Sequence, residues 1–413
     1  MLLTSATVSR LADGAASIAL VLVVIARTHD ARLAGLVVAA FTVPTLVSGP
    51  VLGAYLDRMR ARHLLFAGNQ LMLAGTLTGI VVLAGHAPAL VLIGLGLCAG
   101  LTAPVLTGGF SSLVPLVVPP ASLPRANALD SASYNIAGLA GPAIVAAVAG
   151  AAGATAALST VAAVAAAGLI LVLAAPMPAP PRGLLPAGSL RAALHDGLRL
   201  LWDRPLLRTT TIATTLSQFA QGMLPVTLPL LAVQFGRTAA AGAWLLTALS
   251  CGGLAGALAS HRLLARWTPR SVLLTATGAF GACLAALAAM PDFALALSLA
   301  VLAGLAEGPT LAATLTVRQQ YVPAEHYAQI SATAASIKTG SYALGAAATG
   351  LLASALTGRE LMLAIAAGQV VALTPLLHPA LNHAPAADRP NPAQAQAQAR
   401  PSQPSHQESR SRA

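Results

Sequence analysis

The chain is a succession of apolar runs, each near the twenty or so residues that a helix needs to cross a bilayer, set apart by short breaks rich in charge, Pro or Gly. The runs lie near residues 8–27, 33–54, 64–85, 88–112, 128–150 and 153–175, and then near 208–233, 239–260, 271–290, 293–316, 329–355 and 360–378. They predict an all-α polytopic membrane protein with about twelve transmembrane helices in two groups of six. The one long internal break, 176–206, opens with Pro176-Met-Pro-Ala-Pro-Pro-Arg-Gly, which cannot continue a helix. Within it Ser189 is placed to cap a short helix. Leu190, Leu194, Leu198, Leu201 and Trp202 would share one face of that helix, and Arg191, His195, Arg199 and Asp203 the other, the pattern of an amphipathic helix lying on the membrane interface. From about Asn382 the chain turns to Pro, Gln, Ala and Ser with scattered Arg, too poor in apolar groups to fold. The organisation read from the pattern is therefore a six-helix half over 1–175, a cytoplasmic linker over 176–206, a second half over 207–378 and a disordered cytoplasmic tail over 379–413.

Composition agrees with that reading: 56% of residues are hydrophobic and 8% charged, where a soluble domain carries roughly a quarter charged residues. A formal charge of +11 could suggest nucleic acid, but the bases fall in the breaks between apolar runs rather than on one solvated face, so no nucleic-acid partner is expected. Their distribution sets orientation instead. With the N-terminus inside, 18 bases fall on the inner side, Arg10, Arg58, Arg62 and Arg318 among them. Only Arg27, Arg32, Arg237 and Arg359 fall outside. Both termini are thus expected in the cytoplasm. The first helix has no small-residue cleavage site before Arg27 and is expected to stay in place. Cys98, Cys251 and Cys283 are an odd number, far apart and without ligand spacing, which points to neither disulfide nor metal. Walker, His-Glu-x2-His and Gly-x-Ser-x-Gly patterns are missing, so neither an enzyme nor a cofactor is expected.

The two groups of helices align at an offset of 204. Val118-Pro119 meets Val322-Pro323, Gly100 meets Gly304 and Gly141 meets Gly345, while the basic break from Asp57 to His63 has a counterpart from His261 to Arg270. Together these matches indicate duplication of a six-helix unit, and parallel repeats around a central site are a transporter architecture.

The segment Gly53-Ala-Tyr-Leu-Asp57-Arg58-Met-Arg60-Ala-Arg62 resembles the loop G-x-x-x-D-R-x-G-R between the second and third helices of the major facilitator superfamily, with Arg60 in place of the second Gly. In that family the Asp sits near the start of the eleventh helix, whose N-terminal dipole favours negative charge. The resemblance therefore implies that Gly53, Asp57, Arg58 and Arg62 form a gating loop closing the cytoplasmic side. Gly138-Leu-Ala-Gly141-Pro142 is similar to a marker of the drug-exporting branch, where glycines bring helices close and Pro142 permits bending as a hinge or seal. The runs Val118-Pro-Pro-Ala-Ser-Leu123-Pro-Arg125-Ala-Asn127-Ala-Leu129 and Leu190–Arg208 resemble loops of the bacterial macrolide-efflux and enterobactin-export proteins. One departure stands out: many proton-coupled relatives carry an Arg in the fourth helix, and between Gly94 and Leu113 this chain has no base.

An ionisable group inside the membrane is by default a functional candidate. Glu307, followed by Gly308-Pro309, is the deepest carboxylate and the first choice for proton coupling, and Lys338 can pair with it from the neighbouring span. Asp13 lies where the exporters resembled often have an acid, the alternative being an interfacial pair with Arg10 one turn away. Asp130 reads as a partner of its own helix N-terminus. Gln218, Gln221 and Asn135 are polar positions for a cavity wall or for interhelical hydrogen bonds. Trp202, Trp244 and Trp267 fit interfacial anchoring.

The expectation from sequence is a monomeric secondary transporter in a bacterial cytoplasmic membrane, exporting a small amphipathic organic molecule by proton antiport. Its partners would be that substrate, protons and the lipid bilayer. The same scaffold supports proton-coupled import, or a sensor or scaffold that has lost transport.

Overall fold

A computed structural model describes residues 1–59, 61–175, 190–238, 241–352 and 355–377, and every regular element among them is a helix. Arg60, the Pro-rich opening of the central break with Ser189, and the tail beyond residue 377 lie outside the described residues.

In the first half, α1 (Leu2–Thr28), α2 (Ala31–Arg58) and α3 (Arg62–Leu83) are each one pass. The fourth pass is composite, with α4 (Ala89–Gly100), a π-helical turn over Val105–Gly109 and α5 (Phe110–Val117). Passes five and six run together as α6 (Leu123–Ala174), broken only at Gly153, whose φ of 87° a side chain would oppose. Next among the described residues is α7 (Leu190–Asp203). In the second half, α8 (Pro205–Gly222) and α9 (Leu224–Gln234) form one pass bent by 43°. Then come α10 (Gly242–Leu264), α11 (Pro269–Ala288), the broken pair α12 (Phe293–Glu307) and α13 (Pro309–Tyr321), α14 (Tyr327–Leu352) and α15 (Gly358–Leu373). Among the described residues, eight helical segments are long and apolar enough to cross a membrane, or ten if each of two bent pairs is one span. Counting the arms of α6 separately and adding α14, about 39 Å long at 1.5 Å per residue, brings the passes to twelve.

Sequence chemistry sets these boundaries. Asp30 accepts from the amides of Arg32 and Leu33 at 2.8 and 3.1 Å, Asp292 accepts from Leu295 N at 2.9 Å, and Thr357 with Glu360 closes a capping box. Pro104, Pro225 and Pro309, each without an N–H, stand at the mid-pass interruptions.

Packing rests on small residues, as it must where lipid removes the hydrophobic drive between helices. Ala12, Ala15, Ala16 and Ala19 of α1 are buried within the first half's core, and α1 lies along α6. A second core joins α9, α11, α12 and α15, and a third gathers Leu201 of α7 with Leu207, Val317, Val322 and Tyr327.

The duplication is visible in three dimensions. Two 3₁₀ turns, Pro120–Ser122 and Ala324–His326, stand 204 residues apart, each leading into a pass. Gly141 packs on Ala15 and Gly345 on Phe219, so both the glycines and their partners keep the same offset. The halves meet where α2 crosses α14 and where α6 crosses α10 and α13.

Candidate functional site

Polar chemistry concentrates where the halves meet, toward the end of the bundle that holds Asp57. At the end of α2 the Asp57 carboxylate, 4% exposed, accepts from the backbone amides of Ala328 and Gln329 at 2.9 and 2.8 Å, satisfying two free N–H groups at the start of α14. One turn earlier Gly53 permits that approach: a Cβ there would lie 2.5 Å from Gln329 Cα and 2.7 Å from Ala328 O. Gly49 likewise touches Ser336, and Gly108 of the π turn would bring a Cβ to 2.6 Å from Ala332 Cα. Arg62 is buried beside Asp57, attracts it electrostatically and donates from Nε to Leu56 O at 3.3 Å. Arg58 is half-buried at the tip of α2. On the same junction Gln329 donates from Nε2 to Leu194 O of α7 at 3.1 Å. The amphipathic α7 thus lies against the contact, with Leu201 buried and Trp202 60% exposed.

Nearby, Asn127 of α6 and Gln319 of α13 form a reciprocal amide pair across the halves, each donating to the other at 2.8 and 2.7 Å. Asn127 also donates to Thr316 Oγ1 at 3.1 Å. Sequence reasoning quoted Asn127 only within a loop pattern and did not single out Gln319.

Three basic or acidic side chains are placed differently from expectation. Arg10, counted among the inner-side charges at the start of the first run, is 3% exposed inside the first half. It pairs with Asp130 Oδ1 at 2.8 Å, donates to Ser111 Oγ at 3.0 Å and to Ser133 Oγ, reaches the carbonyls of Leu106 and Thr107 at 3.2 Å, and lies over the Tyr134 ring at 3.8 Å. Asp130 is therefore not a partner of its own helix N-terminus: it sits two turns into α6, fully buried, and also accepts from Ser111 Oγ at 2.6 Å. The base-free fourth pass is served instead by Arg10 of α1, whose donors find carbonyls of the π turn. Asp13, in turn, does not pair with Arg10. It is half-buried midway along α1, and its Oδ1 is enclosed without a hydrogen-bond partner. A charge inside an apolar run was the available signal for Arg10, overridden by its nearness to the chain start.

Glu307 and Lys338 are both half-buried, attract one another electrostatically, and have Gln221 beside the carboxylate. They form no ion pair within 4 Å; among the described residues the direct pairs are Arg10–Asp130, His195–Asp196 and Arg199–Asp203. Gln221 donates to Ser217 Oγ at 3.1 Å, and Asn135 donates to Ser131 O at 3.1 Å and faces Gly253 of α10. In the fifth pass Gly141 packs on α1 and is buried, whereas Gly138 is exposed with open space where a Cβ would go, and α6 continues through Pro142. No group of three or more metal-ligating side chains occurs among the described residues.

Two duplicated helical halves, interrupted spans, buried ionisable groups within each half and a carboxylate, Asp57, joining the two define a membrane transporter scaffold rather than an enzyme. The family model of the Major Facilitator Superfamily matches residues 2–217 and again 210–411, and the chain belongs to that superfamily. It is 30% identical over 367 residues to an uncharacterized MFS-type transporter, y4rN, of Sinorhizobium fredii, covering 85% of this chain and 87% of that one. It is 26% identical over 373 residues to the multidrug efflux pump Tap of Mycolicibacterium fortuitum, covering 86% and 89%. The crystal structure of the human organic anion transporter MFSD10 superposes with a TM-score of 0.71 over 91% of this chain and 98% of its own, at 15% identity, a likeness of fold alone. The protein is thus a multi-pass membrane transporter that handles small molecules.

Proposed function

We propose that the protein exports a small amphipathic organic molecule from the cytoplasm by proton antiport, its halves rocking about a central site. The observation that carries this reading is the closed junction at the Asp57 end, where a carboxylate of one half holds backbone amides of the other. A contact made of two charge-assisted hydrogen bonds is reversible, which a gate requires. The positive-inside count favours that end, both termini and the interfacial α7 facing the cytoplasm, in this reading across a bacterial cytoplasmic membrane. Residues 1–175 and 207–378 act as the two moving bodies, 176–206 as their linker and 379–413 as a tail. Gly53, Asp57, Arg58 and Arg62 form the gating loop, and Gly138, Gly141 and Pro142 a hinge or seal. Similarity to the efflux pump Tap favours export.

Coupling falls to Glu307, whose attraction to Lys338 changes when a proton or a substrate takes its place, with Asp13 as the second acid. One charge crossing 100 mV gains about 2.3 kcal/mol, which sustains roughly a fiftyfold gradient before any pH difference is added. The test is proton movement in energised inverted vesicles carrying wild type or Glu307→Gln. Compound-triggered proton release from the lumen in wild type and its loss in the variant, at equal protein level, is expected. Release that survives in the variant moves the coupling role to Asp13, and compound uptake accompanied by proton co-transport overturns export.

A further inference from the structure

Arg318, near the end of α13, is 5% exposed, and its Nη2 is enclosed without a hydrogen-bond partner. No carboxylate among the described residues forms an ion pair with it: Asp130 is taken by Arg10 and Ser111, Asp57 by the amides of α14, and Glu307 is attracted by Lys338. Glu325, in the turn between α13 and α14, acts on Asp57, while the groups acting on Arg318 are the phenols of Tyr134 and Tyr327. The partial negative charge of the α13 C-terminus faces it too, but a helix end is a fraction of a charge. Isolated burial of a guanidinium is costly, and its planar fork of five donors is built for two oxygens of one oxyanion.

Further donors lack partners close by. Tyr327 and Ser331 stand one turn apart at the start of α14, both buried; their hydroxyls lie close to each other and to the Gln319 amide, and neither reaches an acceptor in good hydrogen-bond geometry. Tyr327 interacts electrostatically with Arg318, and Lys338, two turns deeper on the same helix, feels its repulsion. Arg318 and the two hydroxyls are therefore buried together with no carboxylate among the described residues to match the guanidinium, and Lys338, which Glu307 attracts, adds positive charge within electrostatic reach of Arg318.

We infer that this group is a binding site for an anionic head, a carboxylate, sulfonate or phosphate ester, on the transported molecule, with Arg318 as its principal ligand. The inference rests on the transport reading and names the substrate class that this site, at the Asp57 end where α14 begins, would take. A cation would meet Arg318 and Lys338 as repulsion. Because Arg318 is unmatched while the Asp57 end is closed, an anion that supplies the counter-charge binds this closed form best and draws the end shut behind it.

Binding by purified protein in nanodiscs decides the matter, using dansylglycine and dansylcholine, which share a fluorophore and differ in the sign of the head. Wild type should hold the anion at least tenfold tighter than the cation. Arg318→Gln should abolish that preference, and Arg318→Lys should restore part of it. The empty Arg318→Gln protein should unfold at the same or a higher temperature than wild type, because a buried unmatched charge has gone. Equal or inverted preference in wild type, preference surviving in Arg318→Gln, or a melting temperature several degrees lower in that variant each overturns the site. If Arg318→Gln fails to fold, which is the third of these outcomes in its strongest form, Tyr327→Phe with Ser331→Ala still reports whether the anion preference weakens. Proton-coupled transport is read separately in vesicles, so anion binding without transport condemns the export reading and not the site.

Discussion

Arg10 and Asp130 show how much of the first half's polarity is bound up in one contact. A guanidinium and a carboxylate are buried together at 2.8 Å, and the remaining donors and lone pairs are met by Ser111, Ser133, two π-turn carbonyls and the Tyr134 ring. Removing one partner strands the other charge, which costs about 3–5 kcal/mol, while removing both costs far less. Asp130→Asn is therefore expected to lower the unfolding temperature markedly in detergent, and Arg10→Met with Asp130→Leu to recover most of the loss. A fully additive double variant would mean that the two residues do not act as a pair. The contact also explains what the sequence left unread at this scale. Arg10 and Asp130 are 120 positions apart, and nothing in their own neighbourhoods announces the partner. Asp13, one turn from Arg10, was the nearer and more obvious choice, yet it carries no such bond.

At the scale of elements, α14 is the helix on which the two halves are keyed. Its first turn receives Asp57, its next turns pack on Gly53, Gly49 and Gly108, and Gln329 ties it to α7. An Asn in place of Asp57 keeps an acceptor but loses the charge that answers the helix dipole and strengthens both bonds. Asp57→Asn should therefore open this end more often. In a protein freed of Cys98, Cys251 and Cys283, a Cys at Ser331 should react faster with a polar maleimide in that background; unchanged labelling would deny Asp57 a gating role. Gly53→Ala should act in the same direction, because its Cβ meets backbone of α14 and not a movable side-chain end. Much at this level was legible from the chain. Apolar run length placed the twelve passes, and the alternating faces of 190–203 foretold α7. The break between passes five and six was read within a few residues of the backbone twist at Gly153. The π turn was not legible, because it depends on a tertiary partner, the carbonyls of Leu106 and Thr107 on Arg10.

For the molecule as a whole, the offset of 204 residues that relates Gly141–Ala15 to Gly345–Phe219 makes each half a similar packed body, and it leaves the contacts between bodies as the part free to change. At the Asp57 end those contacts include close glycine packing on α14 and two polar fastenings, two amides on Asp57 and the reciprocal amides of Asn127 and Gln319. If the halves part at this end during transport, both fastenings are expected to release in each cycle. A short reducible thiol crosslinker between Asn127→Cys and Gln319→Cys is the direct probe, since an amide pair spans more than the roughly 3.8 Å between Cβ atoms that a disulfide allows. Linked protein should lose transport while still binding substrate from the opposite side, and reduction should return the activity of the unlinked double variant. Transport that continues through an intact link would mean that the halves do not part at this end, and the reading of Asp57 as a gate would fall with it.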